Sequence, residues 1–377
     1  MLTEDQLSIQ NILRDFSRDK LKTAAAERDI SKAFPSQELK ILAELGVLGI
    51  TVPEEYAGAG LDYKTLVVAL EEIAAGEGGL STIVSVQNSL ICGILLHYGN
   101  EQQKQNYLTK VASGEWLGCF CLTEPHTGSD ASALKTRADQ EGEYYILNGT
   151  KQFITTGKNA QIAIVLAVTD KEAGKKGISC FAVPTDNEGY NVIGLEDKMG
   201  QHCSDTATIS FENCRVHESN LIGALGEGYK IALSNLAAGR IGIAAQSVGM
   251  ARAALDAAID YAKQREAFGV PIYQHQAVSF RIADMATQIE AARQLVYHAA
   301  DLKDSGVPCL KEASMAKLFA STIAERVCSD AIQIHGGYGY LKDFPVERIY
   351  RDVRISQIYE GTSDIQHIVI ARDVINQ

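Results

Sequence analysis

Near the end of the chain, Ile358-Tyr359-Glu360-Gly361-Thr362-Ser363-Asp364 sets one carboxylate among apolar neighbours, ahead of a glycine and a Thr/Ser helix start. Ile358 and Tyr359 would strip water from that carboxylate and raise its pKa, which suits a general base, whereas a lone loop glutamate is ordinarily a solvated charge. The amides of Gly361 and Thr362, at a helix start, are placed to receive an anion. Two further segments offer a binding surface. Residues 120–130, FCLTEPHTGSD, end a strand in a turn rich in hydroxyl and backbone donors. That composition makes either a plain surface turn or a wall for a heteroaromatic ring and an anion. In KQFITTG, residues 151–157, Phe153 and Thr155 stand two positions apart and so share one strand face, able to cover a flat ring and hydrogen-bond its edge. Metal and dithiol chemistry are not signalled, because the 8 cysteines include no C-x-x-C pair and the 8 histidines no H-E-x-x-H.

The hydrophobic pattern supplies three stretches to hold these segments. Up to about Trp116 apolar residues recur at helical spacing, as in Leu39, Ile41, Leu42 and Leu45, then Leu66, Val67, Leu70 and Ile73. Pro35-Ser36 marks a helix start and Pro53 to Gly60 a loop. From about Leu117 to Gly223 short β-type runs follow one another: YYILNGTKQFITT, IAIVLAV, ISCFAVP and TATISFENCRV. Beyond Gly223 long helical patterns return, over about 229–264, 275–304, 311–335 and 363–375. Gly239, Gly242 and Gly249 inside the first of them let neighbouring backbones approach, which favours a tight antiparallel bundle.

Composition excludes several classes. With 46% hydrophobic and 22% charged residues the chain is globular, and with 35 Lys and Arg against 47 Asp and Glu it carries a formal charge of −12. No basic run draws it to nucleic acid or anionic lipid, so neither partner is expected. The longest strongly apolar run, Ile162 to Val168, is far short of the ~20 residues that span a bilayer, and the start of the chain is polar and acidic. An intracellular protein is expected, cytoplasmic in a bacterium or in the mitochondrial matrix if it is a processed eukaryotic chain.

Along essentially its whole length the chain resembles the acyl-CoA dehydrogenase family. TEPHTGSD at 123–130, KQFITTG at 151–157, GRIGIAAQ at 239–246, QREAFG at 264–269, QIHGGYGY at 333–340 and IYEGTSDIQ at 358–366 occur in the family's order and spacing. PEEYAGAGLDY at 53–63 and MGQHCSDT at 199–206 look like family segments as well. The resemblance implies an α+β multidomain fold: an N-terminal helical domain over 1–116, a barrel-like middle β-sheet domain over 117–223, and a C-terminal four-helix bundle over 224–377. It also implies FAD, its isoalloxazine lying between the middle domain and the bundle. Phe120, Leu122 and Thr123 would line one side of the flavin, and Phe153 and Thr155 its other side and the N5 region. Phe153 stands where many relatives carry Trp, keeping the ring but not the indole donor. Arg265 and Phe268 are implied at the pyrophosphate and ribityl part, and Gln276 as a further flavin contact. Gln333 and Gly337 are implied at the distal part, donated by a partner subunit, and Thr362 and Asp364 as the remaining contacts.

The implied substrate is an acyl-CoA thioester, with a weakly acidic α-hydrogen that needs a base on one side and a hydride acceptor on the other. Glu360 matches the family base. In some relatives the base instead precedes the bundle arginine, but here Gly239 precedes Arg240. Glycine cannot act as a base, and its role is expected to be keeping space beside Arg240 open for the reacting carbons. Ser129 and Arg240 match substrate contacts towards the adenosine diphosphate of CoA, and Tyr359 and Gly361 further substrate contacts. Ala237, where many relatives have Asp or Asn, and His217, where Pro is common, depart from the pattern. Gln87, Leu90, Ile91 and Leu95 add bulk that favours short or medium chains, straight or branched, and they equally fit a helix core. Cys119 and Cys121 should point away from the flavin into packing. The expected activity is dehydrogenation to trans-2-enoyl-CoA by a homotetramer that passes electrons to an electron-transfer flavoprotein. An oxidase or flavin monooxygenase on the same fold is the alternative. A non-enzymatic flavin-bearing relative is disfavoured by the net charge and the intact base.

Overall fold

The computed structural model describes residues 2–376. Thr3 opens α1 (Glu4–Phe16) with a reciprocal cap, its side chain accepting from the Gln6 N–H while the Gln6 side chain accepts from the Thr3 N–H. A π-type turn, Ser17–Leu21, joins α1 to α2 (Lys22–Ser31), and α3 (Ser36–Glu44) follows Pro35. Asp62 caps α4 (Tyr63–Gly76), which is buried along nearly its whole length. Helix α5 (Gly78–Tyr98) is the single helix among the described residues long and apolar enough to cross a membrane. Its most apolar 18-residue window is 89% buried inside the fold, which makes it a core helix. The sequence reading passed over it because Ser85, Gln87, Asn88 and Ser89 interrupt the apolar run. A helical run α6 over 101–112 completes this stretch.

The strands are β1 (Gly118–Cys121), β2 (Arg137–Glu141), β3 (Tyr144–Thr155), β4 (Ile162–Val168), β5 (Ile178–Pro184), β6 (Tyr190–Leu195), β7 (Thr206–His217) and β8 (Leu221–Ile222). They form one sheet in the order β6-β7-β3-β2-β4-β5-β8, with β1 parallel to β4. Strand β4 is apolar throughout because both its faces are buried. Ile162, Ile164 and Leu166 pack with α5 and α6, while Ala163, Val165 and Ala167 join Cys119, Cys121, Leu147, Phe181, Ile209 and Phe211 in a second core that all of β1 to β7 enclose. Cys119 and Cys121 therefore point into packing, as expected, and Phe120 points the other way, towards the helices.

Beyond the sheet come α7 (Gly228–Gln264), a small hairpin of β9 (Glu266–Ala267) and β10 (Val270–Pro271), α8 (Gln276–Asp304), α9 (Leu310–His335), α10 (Pro345–Val353) and α11 (Ser363–Ile375). One continuous core runs from Leu13 and Leu70 of the first helices to Ile241, Val296 and Val327 of the last. The bundle is thus shared with α4 rather than confined to the C-terminal stretch. Glycines set its spacing: an added Cβ at Gly249 would lie 2.2 Å from the Glu71 carbonyl oxygen of α4, and one at Gly242 would lie 2.4 Å from Ser85 Oγ of α5. Buried charges pin the same junction, with Glu72 paired to Arg14 at 2.8 Å and Glu71 to Arg252 and Arg293, each at 3.0 Å.

Candidate active site

Helix α10 runs through a short 3-10 turn, Arg354–Gln357, into the loop that carries Glu360. Thr362 then caps α11, its side chain accepting from the Ile365 N–H at 3.4 Å. Glu360 lies in the left-handed region, φ +52°, followed by Gly361 at φ +95°. A non-glycine residue held there costs on the order of 1–3 kcal/mol and needs surroundings that fix it. Glu360 as a residue is half-buried, but both its carboxylate oxygens are buried with no hydrogen-bond partner. Burial pushes this carboxyl up to about 7, and the cations Lys317 and Arg240 hold it from rising further.

Glu360 lies against α7. A Cβ built on Gly239 would fall 1.7 Å from Glu360 Oε2, so the space this glycine leaves open is filled by the carboxylate itself. Gly239 is expected to keep space open for the reacting carbons, and the group that enters this space in the structure is the Glu360 carboxylate. Arg240 is 4% exposed and donates from Nη1 to Ser314 Oγ at 3.0 Å, while its Nε has no partner. It belongs to the buried surroundings of Glu360, and the expectation that it lies with Ser129 at an outlying part of the substrate does not describe this position. Ser129 itself is exposed on the 123–130 turn. Tyr359 donates its hydroxyl to Gln246 Oε1, and Tyr63, fully buried, donates to the Ala238 carbonyl at 2.6 Å.

The second group of residues is on the sheet. Lys151, wholly buried, donates to the Leu122 carbonyl at 3.0 Å and to Glu124 Oε1 at 2.8 Å, and the Gln152 N–H donates to the Thr123 carbonyl at 2.9 Å. Glu124 also accepts from the Lys135 and Thr136 amides at 2.7 and 3.0 Å. Burial would raise its pKa, but the Lys151 charge and these hydrogen bonds outweigh burial and hold the carboxyl below its usual range. This internal pair locks the TEP turn to the KQFIT strand. On that strand the pairing with β7 slips between Lys151 and Ile154, and Phe153 takes φ +59° in the irregularity. Its ring is 59% exposed while Ile154 is buried, and Thr155 returns to the open side. Leu122 and Thr123 are half-buried beside this surface, and Phe120 is partly covered by the helices. An apolar ring presented to the outside from a left-handed backbone, next to hydroxyls and half-buried apolar groups, fits a flat heteroaromatic cofactor.

A third group stands at the adjoining ends of α7, α8 and α9. Arg265 follows α7, Gln276 opens α8, and Gln333 and Gly337 lie at the end of α9, all exposed. Phe268, at the tip of the β9–β10 hairpin, is 96% exposed at φ +56°. Arg265 and Gly337 line a cavity of about 400 Å³ with Tyr261, His335 and Tyr338, and the Arg265 guanidinium lies 5.8 Å from the Tyr338 ring centroid. Gln87, Leu90, Ile91 and Leu95 prove to be core residues. Gln87 joins the Val111, Trp116 and Gly118 backbones, and the other three lie in the core between α5 and the sheet.

Three family models match in succession: the acyl-CoA dehydrogenase N-terminal domain at residues 3–115, the middle domain at 119–214 and the C-terminal domain at 226–375. The chain belongs to the acyl-CoA dehydrogenase family. This acyl-CoA dehydrogenase is 47% identical to the mitochondrial short-chain specific acyl-CoA dehydrogenase of Rattus norvegicus over 98% of its own length and 90% of the relative's. Butyryl-CoA dehydrogenase from Megasphaera elsdenii superposes with a TM-score of 0.98 at 41% identity, covering 100% of this chain and 99% of that one. A chain from a structure of the electron transferring flavoprotein of Acidaminococcus fermentans gives a TM-score of 0.99 at 46% identity, covering 100% and 99%. As a member of the family the protein is an FAD-dependent oxidoreductase of acyl-CoA thioesters. The sequence reading missed Lys151, Glu124, Lys317, Gln246 and Tyr63. The first two stand inside its own motifs, at the K of KQFITTG and the E of TEPHTGSD, yet side-chain contacts between distant segments have no local signature.

Proposed function

We propose that this dehydrogenase converts short acyl-CoA thioesters to trans-2-enoyl-CoA with Glu360 as the base that takes the α-proton. The observation that carries the reading is the Glu360 carboxylate, buried, unpartnered and poised near neutrality. A base whose pKa lies near the working pH is ionised often enough to act and basic enough to remove a weakly acidic proton. Bound FAD supplies the acceptor for the hydride leaving the β-carbon. Phe153, Thr155, Leu122, Thr123 and Phe120 would hold its ring system, with Thr362 and Asp364 at the start of α11 as further contacts. The Glu360 backbone N–H, which makes no hydrogen bond among the described residues, would bind the thioester oxygen and stabilise enolate-like charge. Tyr359 and Gly361 flank that oxygen site, and Arg240 supplies positive charge behind it. Ser129, exposed on its turn, remains the proposed contact to an outlying part of CoA.

Arg265, Phe268, Gln276, Gln333 and Gly337 would serve the flavin of a neighbouring protomer in a homotetramer. The exposure of Phe268, Tyr340 and Phe280, 96%, 87% and 64%, supports a protein-covered surface there. The short-chain assignment rests on the short-chain and butyryl-CoA relatives, and the electron-transfer flavoprotein as acceptor on the third neighbour. The oxidase or monooxygenase alternative is not favoured. The compartment is proposed as bacterial cytoplasm or mitochondrial matrix, since a mitochondrial protein stands among the relatives. Replacing Glu360 by Gln keeps shape and removes the base, so FAD content should persist while anaerobic flavin reduction by butyryl-CoA slows by on the order of 100-fold or more. Reduction at the wild-type rate would place the base elsewhere.

A further inference from the structure

Lys317, on α9, is 1% exposed, and the hydrogen-bond partners of its ammonium are not carboxylates. It donates instead to two backbone carbonyls, that of Tyr359 at 2.7 Å and that of Gly361. These are the carbonyls immediately before and after Glu360, the residue forced to a positive φ. A buried ammonium is expensive to desolvate, and two neutral carbonyls recover only part of that cost. Gln366 Nε2 already donates to the Gly361 carbonyl at 2.8 Å, so a neutral amide suffices to tie that side of the loop. What the cation adds is charge beside the Glu360 carboxylate.

We propose that Lys317 is the positioning residue of the base: its ammonium clamps the carbonyls on both sides of Glu360 and sets the charge against which that carboxylate ionises. The clamp explains how a non-glycine residue is kept in the left-handed region, since fixing the carbonyls on either side leaves the Glu360 backbone little freedom. It also keeps the Glu360 N–H turned out of the local hydrogen-bond network, where the thioester oxygen would need it. The groups facing the carboxylate are Lys317 from α9, Arg240 from α7, Tyr63 from α4 and the adjoining Tyr359. The two cations favour the ionised form. Burial and the carboxylate act on Lys317 in opposite senses, burial prevailing and leaving the ammonium at about 8. Arg240 stays charged across the working range, so Lys317 is the cation whose removal isolates the effect.

This inference rests on Glu360 being the base, and the test separates the two. Flavin-loaded wild type, K317M, K317R and E360Q would be mixed anaerobically with butyryl-CoA from about pH 5.5 to 9, reading the rate of flavin bleaching per bound FAD. In K317M the midpoint of the rise in rate should move to higher pH by about one unit, and the limiting rate should fall about tenfold, because charge and clamp go together. In K317R the midpoint should stay near that of wild type while the limiting rate falls, since a planar guanidinium keeps the charge but cannot reproduce the two-carbonyl geometry. If K317M does not retain FAD, K317R alone decides: a raised midpoint with an unchanged limiting rate overturns the proposal. A K317M enzyme that melts lower but keeps both midpoint and rate per flavin also overturns it, leaving Lys317 a structural tie. Wild-type reduction by E360Q would instead sink the assignment of the base, whatever the lysine variants do.

Discussion

Gly239 and Glu360 share one small volume between α7 and the loop before α11. The sequence displayed both residues and showed that position 239 carries no carboxylate, but not which group would enter the space beside it. That depended on the side-chain direction of Glu360, fixed by a positive φ that only the neighbouring Gly361 hinted at. Because the atom facing a new methyl at position 239 is the tip of a flexible side chain, 1.7 Å away, Gly239→Ala should fold and keep its FAD. The carboxylate must turn aside, so flavin reduction by butyryl-CoA should slow by about tenfold or more, read by stopped-flow at matched FAD content. An unchanged rate would mean that Glu360 works from another rotamer. The raised pKa has a further consequence. A carboxyl shifted from 4.5 to about 7 by folding favours the folded state below pH 4.5, and that advantage is lost as pH rises through 7. E360Q, which cannot ionise, should therefore be more stable than wild type at pH 8, by on the order of 3 kcal/mol, with the gap closing below about pH 4.5. Denaturant melts at the two pH values check this, and a gap that fails to close in acid would contradict it.

At the scale of elements, the TEP turn and the KQFIT strand stood out in the sequence as two candidate ligand surfaces, with period-two spacing placing Phe153 and Thr155 on one face. The irregular pairing that puts Phe153 in the left-handed region was not legible, nor was the Lys151–Glu124 pair that joins the two segments from within. A lysine in a strand reads as solvent-facing until the opposite segment is known. Lys151→Met would leave the Glu124 carboxylate buried with its amide partners but without its cation. The expected loss is about 3 kcal/mol of stability, visible in thermal melts, together with weaker FAD retention as the turn loosens from the strand. Melting like wild type with full FAD would show that the amides of Lys135 and Thr136 suffice. The long helices were legible to within a residue or so, since glycine, proline and caps punctuate them. Helix α5 was the opposite case, its polar residues hiding a largely buried helix.

Across the whole molecule, α7 carries the architecture: α4 and α5 pack on it through Gly249 and Gly242, and the base loop through Gly239. One chain thereby brings Glu360 to the bundle, while its most exposed aromatic, Phe268, and the Arg265 cavity sit at the bundle's outer end. If those outer residues serve a neighbour's flavin, Arg265→Ala should lower FAD content severalfold without changing the fold, and wild type should sediment as a tetramer. A fully flavin-loaded monomer at micromolar concentration would refute that arrangement. The same architecture leaves the Glu360 carboxyl buried and poised near neutrality, and the second-order rate of flavin reduction at low butyryl-CoA tests most directly the proposal that it is the base, because that rate reports the free enzyme's ionisation. Wild type should show a rate that rises with pH through a midpoint near 7, and E360Q a flat profile at least about 100-fold lower. A wild-type profile without that midpoint, or an E360Q profile that retains it, would contradict Glu360 as the base.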